Sequence, residues 1–181
     1  MKKRIAYISL YFFTVLLIFI LQKPLFMLYN GSIEKGFGFA DYMQVMVHGA
    51  SLDAATAGYL TAFPFLLVLI SIWFRKFPLK KILYGYYILA AALISIIFVV
   101  DMALYTFWGF KLDASIFLYL DSPKNAMASV SLGFILIRVL CILILSALVT
   151  WGLYKITPAN LPQVQKRIAG SLITILLGGI I

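Results

Sequence analysis

His48 is the one histidine in this chain of 181 residues, and Asp41 and Asp53 lie close to it in sequence. It is the first place to look for acid–base or metal chemistry. Protein metal sites gather their ligands at tight spacings that set several donors on one face or one loop. The run from Asp41 to Asp53 has no such spacing, so the sequence points to no metal site. The chain carries no GxSxG, HExxH, Walker or glycine-rich dinucleotide pattern. No catalytic constellation is visible, and no catalytic residue is assigned. Cys141 is the single cysteine and sits in an apolar run, where it reads as a small buried hydrophobe. Asn30-Gly31-Ser32 matches a glycosylation sequon, a triplet common by chance.

Two other residues invite chemistry because of where they lie. Asp101 and Arg138 are ionisable groups within long apolar runs. Counted along helices at roughly 1.5 Å per residue, Asp101 falls about 30 Å from Lys81 and Arg138 about 26 Å from Lys155. That puts both at similar depth on consecutive runs, so a pair between them is expected to relieve the desolvation of each. The alternatives are an Asp101 that already reaches the interface, with Arg138 snorkelling alone, and an Arg138 that meets a lipid phosphate.

The elements that must position these residues are membrane helices. Hydrophobic residues make up 64% of the chain and charged residues 12%, with a mean hydropathy of +1.06. Soluble domains run at roughly half apolar and a quarter charged. So small a globule has too little interior to hide the excess, and the composition predicts an all-α, polytopic membrane bundle. The net charge of +9 would suggest nucleic acid in a soluble protein. Here most of the basic residues fall between apolar runs, and no basic–aromatic surface is left over for a nucleic acid.

Five spans are expected. The first is Ile5–Gln22, closed by Lys23-Pro24, with the apolar Leu25–Tyr29 beyond. It follows a basic start but lacks the cleavage site of a removed signal. Ala54–Phe74, Ile82–Val100 and Ala126–Tyr154 follow. Ile168–Ile181 is the fifth, and at about 21 Å it is short of a roughly 30 Å hydrocarbon core. It reads as a span truncated before its far end, in a chain whose remainder lies beyond residue 181.

Charge supplies the orientation. Lys2, Lys3 and Arg4, then Arg75, Lys76, Lys80 and Lys81, then Lys155, Lys166 and Arg167 mark one side. Glu34, Asp41, Asp53, Asp113 and Asp121 gather on the other, against Lys35, Lys111 and Lys124. The positive-inside rule places the N-terminus in the cytoplasm, with 30–53 and 105–125 outside. In the first outer loop Phe39, Met43, Met46 and Ala50 recur at helical spacing. They predict a short interfacial helix that ends at His48-Gly49, with Ser51 or Asp53 capping the second span. The second outer loop opens on the aromatic belt Phe107, Trp108 and Phe110. Asp113–Leu120 is read there as another interfacial helix, and Ser122-Pro123 as the start of the fourth span.

The same two loops carry a resemblance. "VHGASLDAATAGYL" and "DMALYTFWGFKLDASIFLYLDSPKNAMASVS" look like the membrane region of the lipoteichoic acid synthase family, more closely its sulfatase-superfamily members from Bacteroidetes. The residues that carry it are His48-Gly49, Asp53, Gly58-Tyr59, Asp101, Phe107–Phe110, Asp113 and Ser122-Pro123-Lys124. The resemblance implies five N-terminal transmembrane helices in a bacterial cytoplasmic membrane. It also implies a following extracytoplasmic domain of alkaline-phosphatase type, with a Thr nucleophile and a divalent metal, manganese or magnesium. Such an enzyme transfers phosphoglycerol from a lipid headgroup or performs related phospho- or sulfo-ester chemistry. None of its catalytic motifs falls within residues 1–181, so no cofactor is expected in this stretch. The expected role is an anchor that presents an anionic lipid headgroup to its own catalytic domain. His48, Asp53, Trp108, Lys111, Asp113 and Arg138 are the candidate lipid-binding or interface residues. A small transporter or flippase-like subunit and a purely structural membrane protein are the alternatives.

Overall fold

The structure is a computed structural model and describes residues 2–31, 37–74, 77–109, 131–158, 161–162 and 164–178. Among the described residues five helices follow one another: α1 (Lys2–Asn30), α2 (Phe39–Trp73), α3 (Leu79–Trp108), α4 (Leu132–Ile156) and α5 (Arg167–Gly178). Among the described residues there is no strand. Helices α1 to α4 are long and apolar enough to cross a membrane, and α5 is a shorter apolar helix.

Helical spacing of the larger side chains explains the bundle. On α1, Arg4, Tyr7, Ile8, Tyr11, Phe12 and Val15 recur every three or four residues and form one buried stripe. It meets Ala57, Leu67 and Val68 of α2, Leu83 and Tyr87 of α3, and Leu153 of α4 in a single core. The outward faces are as apolar as the core: Phe13, Leu89 and Leu143 are each more than half exposed. In water such a surface would drive aggregation, whereas lipid chains solvate it at no cost. Lateral contacts then rest on shape and on polar cross-links. Helix α1 packs chiefly on α2, and α3 chiefly on α4. Helix α2 runs antiparallel to α1, and α4 antiparallel to α3: Tyr87 of α3 meets Thr157 at one end, while Thr106 of α3 and Arg138 of α4 both meet the end of α1 at the other. Helix α5 lies against α2, with Ser171 at Trp73 and Gly178 at Phe65, so it too starts from the end where Arg4 lies.

Several expected boundaries move. Lys23-Pro24 does not close the first span, because α1 runs on through both to Asn30. Proline within a helix forfeits one backbone bond and not the helix. The expected break at His48-Gly49 is also absent: α2 is one helix of 35 residues, and its first turns are the segment read as a separate interfacial helix. At about 52 Å it is longer than the roughly 30 Å that a hydrocarbon core would need. Asp41 does the capping there, its carboxylate accepting from the Gly38 N–H at 2.8 Å. Helix α3 ends on Gly109, which adopts the left-handed φ of 69° that glycine tolerates. The expected helix at 113–120 and the start at Ser122-Pro123 lie outside the described residues. Helix α4 opens at Leu132, with Ser131 Oγ accepting from the Phe134 N–H at 3.2 Å.

Pro64 sits inside α2 and has no N–H to offer the carbonyl four residues earlier, that of Leu60. Tyr86 of α3 fills the gap, its hydroxyl donating to the Leu60 carbonyl at 2.7 Å. In an apolar environment a bare carbonyl costs too much to leave, so the proline in one helix fixes the register of the next.

Candidate functional site

The end of the bundle where α1 finishes is built around an ion pair that local sequence hides. Lys23, beyond the run that read as span one, reaches from α1 to Asp53 on α2. Both side chains are largely buried, at 19% and 11% exposure. Gly49 lies one helical turn ahead of Asp53 on the same face. A Cβ placed there would stand 2.3 Å from Lys23 Cε and 2.8 Å from its Nζ. Gly49 is therefore a notch through which the lysine passes, and not a helix terminator. Asp53 crosslinks two helices.

His48, next to the notch, is exposed, and its Nδ1–H donates to the Gln44 carbonyl of its own helix at 2.8 Å. Among the described residues no three of His, Cys, Asp and Glu lie close enough to hold a metal ion. Asp53 is engaged by Lys23, and Asp41 by the N-terminus of its own helix.

Arg138 is not brought to Asp101; the ion pair formed among the described residues is Lys23–Asp53. Arg138 Nη2 donates to the Tyr29 hydroxyl of α1 instead. Its Cζ stands 4.3 Å from the centre of the Phe134 ring, one turn back on α4, and 5.5 Å from that of Tyr29. The guanidinium is thus held by neutral groups, through cation–π contact and a hydroxyl. Close by, Asn30 is buried, its side chain donating to the Phe26 carbonyl and accepting from Thr106 of α3, both at 3.2 Å. That use of its amide takes Asn30 out of reach as a glycosylation acceptor. Trp108 is the last residue of α3, and its side chain, with Lys111 and Asp113, lies outside the described residues.

The opposite end, where α1 begins, holds a second polar cluster, which sequence reasoning missed. Arg4, counted with the orienting charges, is 2% exposed. Its Nη1 donates to the Val68 carbonyl at 3.0 Å and to Ser71 Oγ, and its Nη2 to the Pro162 carbonyl at 3.4 Å. One side chain thereby ties α1 to the end of α2 and to the segment before α5. One turn on, the Tyr7 hydroxyl meets that of Tyr87, which in turn bonds Thr157 Oγ1 at 2.8 Å. Tyr11 stacks on Tyr87 with ring centres 5.8 Å apart. The recurrence of Arg4, Tyr7 and Tyr11 at helical spacing was the available signal, since an arginine in register with aromatics faces the same way as they do.

Comparison with protein-family descriptions, with curated proteins and with solved structures returns no match.

Proposed function

We propose that this bundle is the membrane anchor and lipid-presenting module of a bacterial envelope enzyme similar to lipoteichoic acid synthases. Such an enzyme would be a metal-dependent phosphoglycerol transferase, or a related phospho- or sulfo-ester enzyme, in the cytoplasmic membrane. The strings in the two outer loops supply the enzyme class. The lipid-presenting role is supported by Arg138. Among the described residues its partners are a phenol and two aromatic rings, with no carboxylate to neutralise it. A guanidinium oriented by neutral groups keeps its charge and its forked N–H donors for a phosphate. Tyr29 and Phe134 give the glycerol backbone an apolar wall beneath that phosphate. The single long α2, clasped to α1 by Lys23–Asp53, projects beyond the expected bilayer as a stiff arm against which a catalytic domain can rest.

Two experiments test the two halves of this reading. A phosphatidylglycerol analogue with a photoactivatable group near its headgroup is reconstituted with the purified chain, and adducts are mapped by peptide. Labelling is expected near Tyr29 and Phe134, falling roughly five- to ten-fold in Arg138→Gln for the loss of one charge-assisted contact. Equal labelling of the variant, or of a phosphatidylcholine analogue, overturns the lipid site. For the enzyme class, the gene sequence downstream of codon 181 is expected to encode an alkaline-phosphatase-like domain. A stop codon or an unrelated domain there overturns it.

A further inference from the structure

A cleft of about 770 Å³ opens between α3 and α4 at the end of the bundle where Arg4 and Thr157 lie, away from Arg138. Its rim and its depth differ in chemistry. Lys80 and Lys81 from the first turn of α3 stand at the mouth, the first half-buried and the second exposed. Tyr84, Trp151 and Tyr154 form the adjoining wall, with the Tyr84 and Tyr154 rings edge to face at 5.4 Å. Along the two helices, away from the lysines, the lining turns to Ile88 and Leu143, both exposed on the apolar surface, and to the small Ser146 and Ala147.

We infer that this cleft holds one anionic phospholipid, its phosphate between Lys80 and Lys81 and an acyl chain along Ile88 and Leu143. Cationic rim, interfacial aromatics and apolar depth follow one another in the order in which a phospholipid presents phosphate, glycerol and chain. The lysines are already organised for it. Lys80 Nζ sits 4.2 Å from the centre of the Tyr154 ring, so the ammonium is anchored over an aromatic face with no carboxylate nearby to satisfy it among the described residues. On the next turn Lys155 lies over Trp151 at 5.5 Å and adds positive potential to the same rim. A second helix is an unsuitable occupant, because it would bury Lys80 and Lys81 against apolar side chains at a large desolvation cost. A lipid brings its own counter-charge. Helix α4 supports this view: Thr150 and Leu153 are the residues it buries, so a lipid along the cleft supplies packing that protein does not. On the expected orientation the site belongs to the cytoplasmic leaflet. It is separate in place and residues from Arg138.

The chain's three tryptophans make the test specific. With Trp73→Phe and Trp108→Phe, Trp151 is the sole fluorophore, and it stands in the cleft wall. The protein is reconstituted in phosphatidylcholine with increasing fractions of brominated phosphatidylglycerol, then in the converse mixture, and quenching gives the relative affinity at that position. Roughly ten-fold preference for the anionic lipid is expected, from two near-surface lysines that each contribute severalfold. Lys80→Gln with Lys81→Gln should bring the ratio close to one, whereas Lys2→Gln with Lys3→Gln, the same charge change elsewhere, should leave it. Ala147→Phe, which fills the cleft and keeps both lysines, should also abolish the preference. It decides the matter if the double lysine variant does not fold. A ratio near one in the parent protein, an equal fall with the Lys2 and Lys3 changes, or a preference that survives Ala147→Phe overturns the site.

Discussion

Gly49 is the residue whose role changes most between sequence and structure, and it yields a test with an unusual sign. Replacing glycine by alanine within a helix ordinarily stabilises by about 1 kcal/mol. Here the added Cβ lands on the Lys23 side chain. The flexible end of the lysine gives way, which draws it off Asp53 and leaves a buried carboxylate without its partner. Stranding one member of a buried pair costs roughly 3–5 kcal/mol. The helix-propensity gain offsets part of that, so Gly49→Ala is expected to destabilise by about 2 kcal/mol. In an Asp53→Asn background the pair is already broken and Lys23 can move aside without stranding a carboxylate, so the same change should stabilise by about 1 kcal/mol. Denaturant unfolding in detergent, followed by circular dichroism, measures both. Stabilisation by Gly49→Ala in both backgrounds would show that the clasp contributes nothing. Lys23 was hard to see for a related reason. Within its own stretch a lysine before a proline reads as the end of a span, and the partner that makes it tolerable is 30 residues away.

At the scale of helices, the bond from Tyr86 to the Leu60 carbonyl makes α2 and α3 interdependent. Tyr86→Phe removes the donor while keeping the ring. An unsatisfied buried acceptor costs roughly 1–3 kcal/mol, but interhelical bonds within membranes average nearer 0.6 kcal/mol, so a loss of about 1 kcal/mol is expected. Pro64→Ala returns a backbone N–H to that carbonyl, and in that background Tyr86→Phe should cost close to nothing. Additive effects across this cycle would mean that tyrosine and proline are unconnected. The helices themselves were legible, because an uncharged apolar run long enough to cross a bilayer has few other folds. Their ends were not. Lys23-Pro24 and His48-Gly49 are ordinary stop signals in water, where an interrupted ladder is resolvated. Within a bundle a neighbouring helix answers them: Asp53 neutralises Lys23, and the lysine occupies the space that Gly49 leaves. Arg138 was legible as a buried charge but not its partner, since equal depth along two helices says nothing about rotation around them. Tyr29 took the place expected of Asp101.

For the molecule as a whole, the basic end carries two burdens that a single substitution separates. Arg4 counts toward the charge bias expected to orient the chain, and it also fastens α1 to Val68, Ser71 and Pro162. Arg4→Lys keeps the charge but loses the forked donors. Cysteine labelling in a Cys141→Ser background, at Ser32→Cys from outside and Phe77→Cys from inside, is expected to give the same orientation as the parent. Unfolding should come about 1–3 kcal/mol sooner. Inverted labelling, or unchanged stability, would assign the residue a single role. The pairing of Pro64 with Tyr86 also bears on how the protein is made. The hydroxyl that satisfies Leu60 is encoded 26 residues after the carbonyl it serves. At translation speeds of about 5–20 residues per second the interval is roughly 1–5 s. For that time α2 carries an exposed polar defect, which makes its solitary release into the bilayer unfavourable. For a chain whose helices are long and apolar enough to cross a membrane, the second and third helices are therefore expected to enter the lipid as one unit.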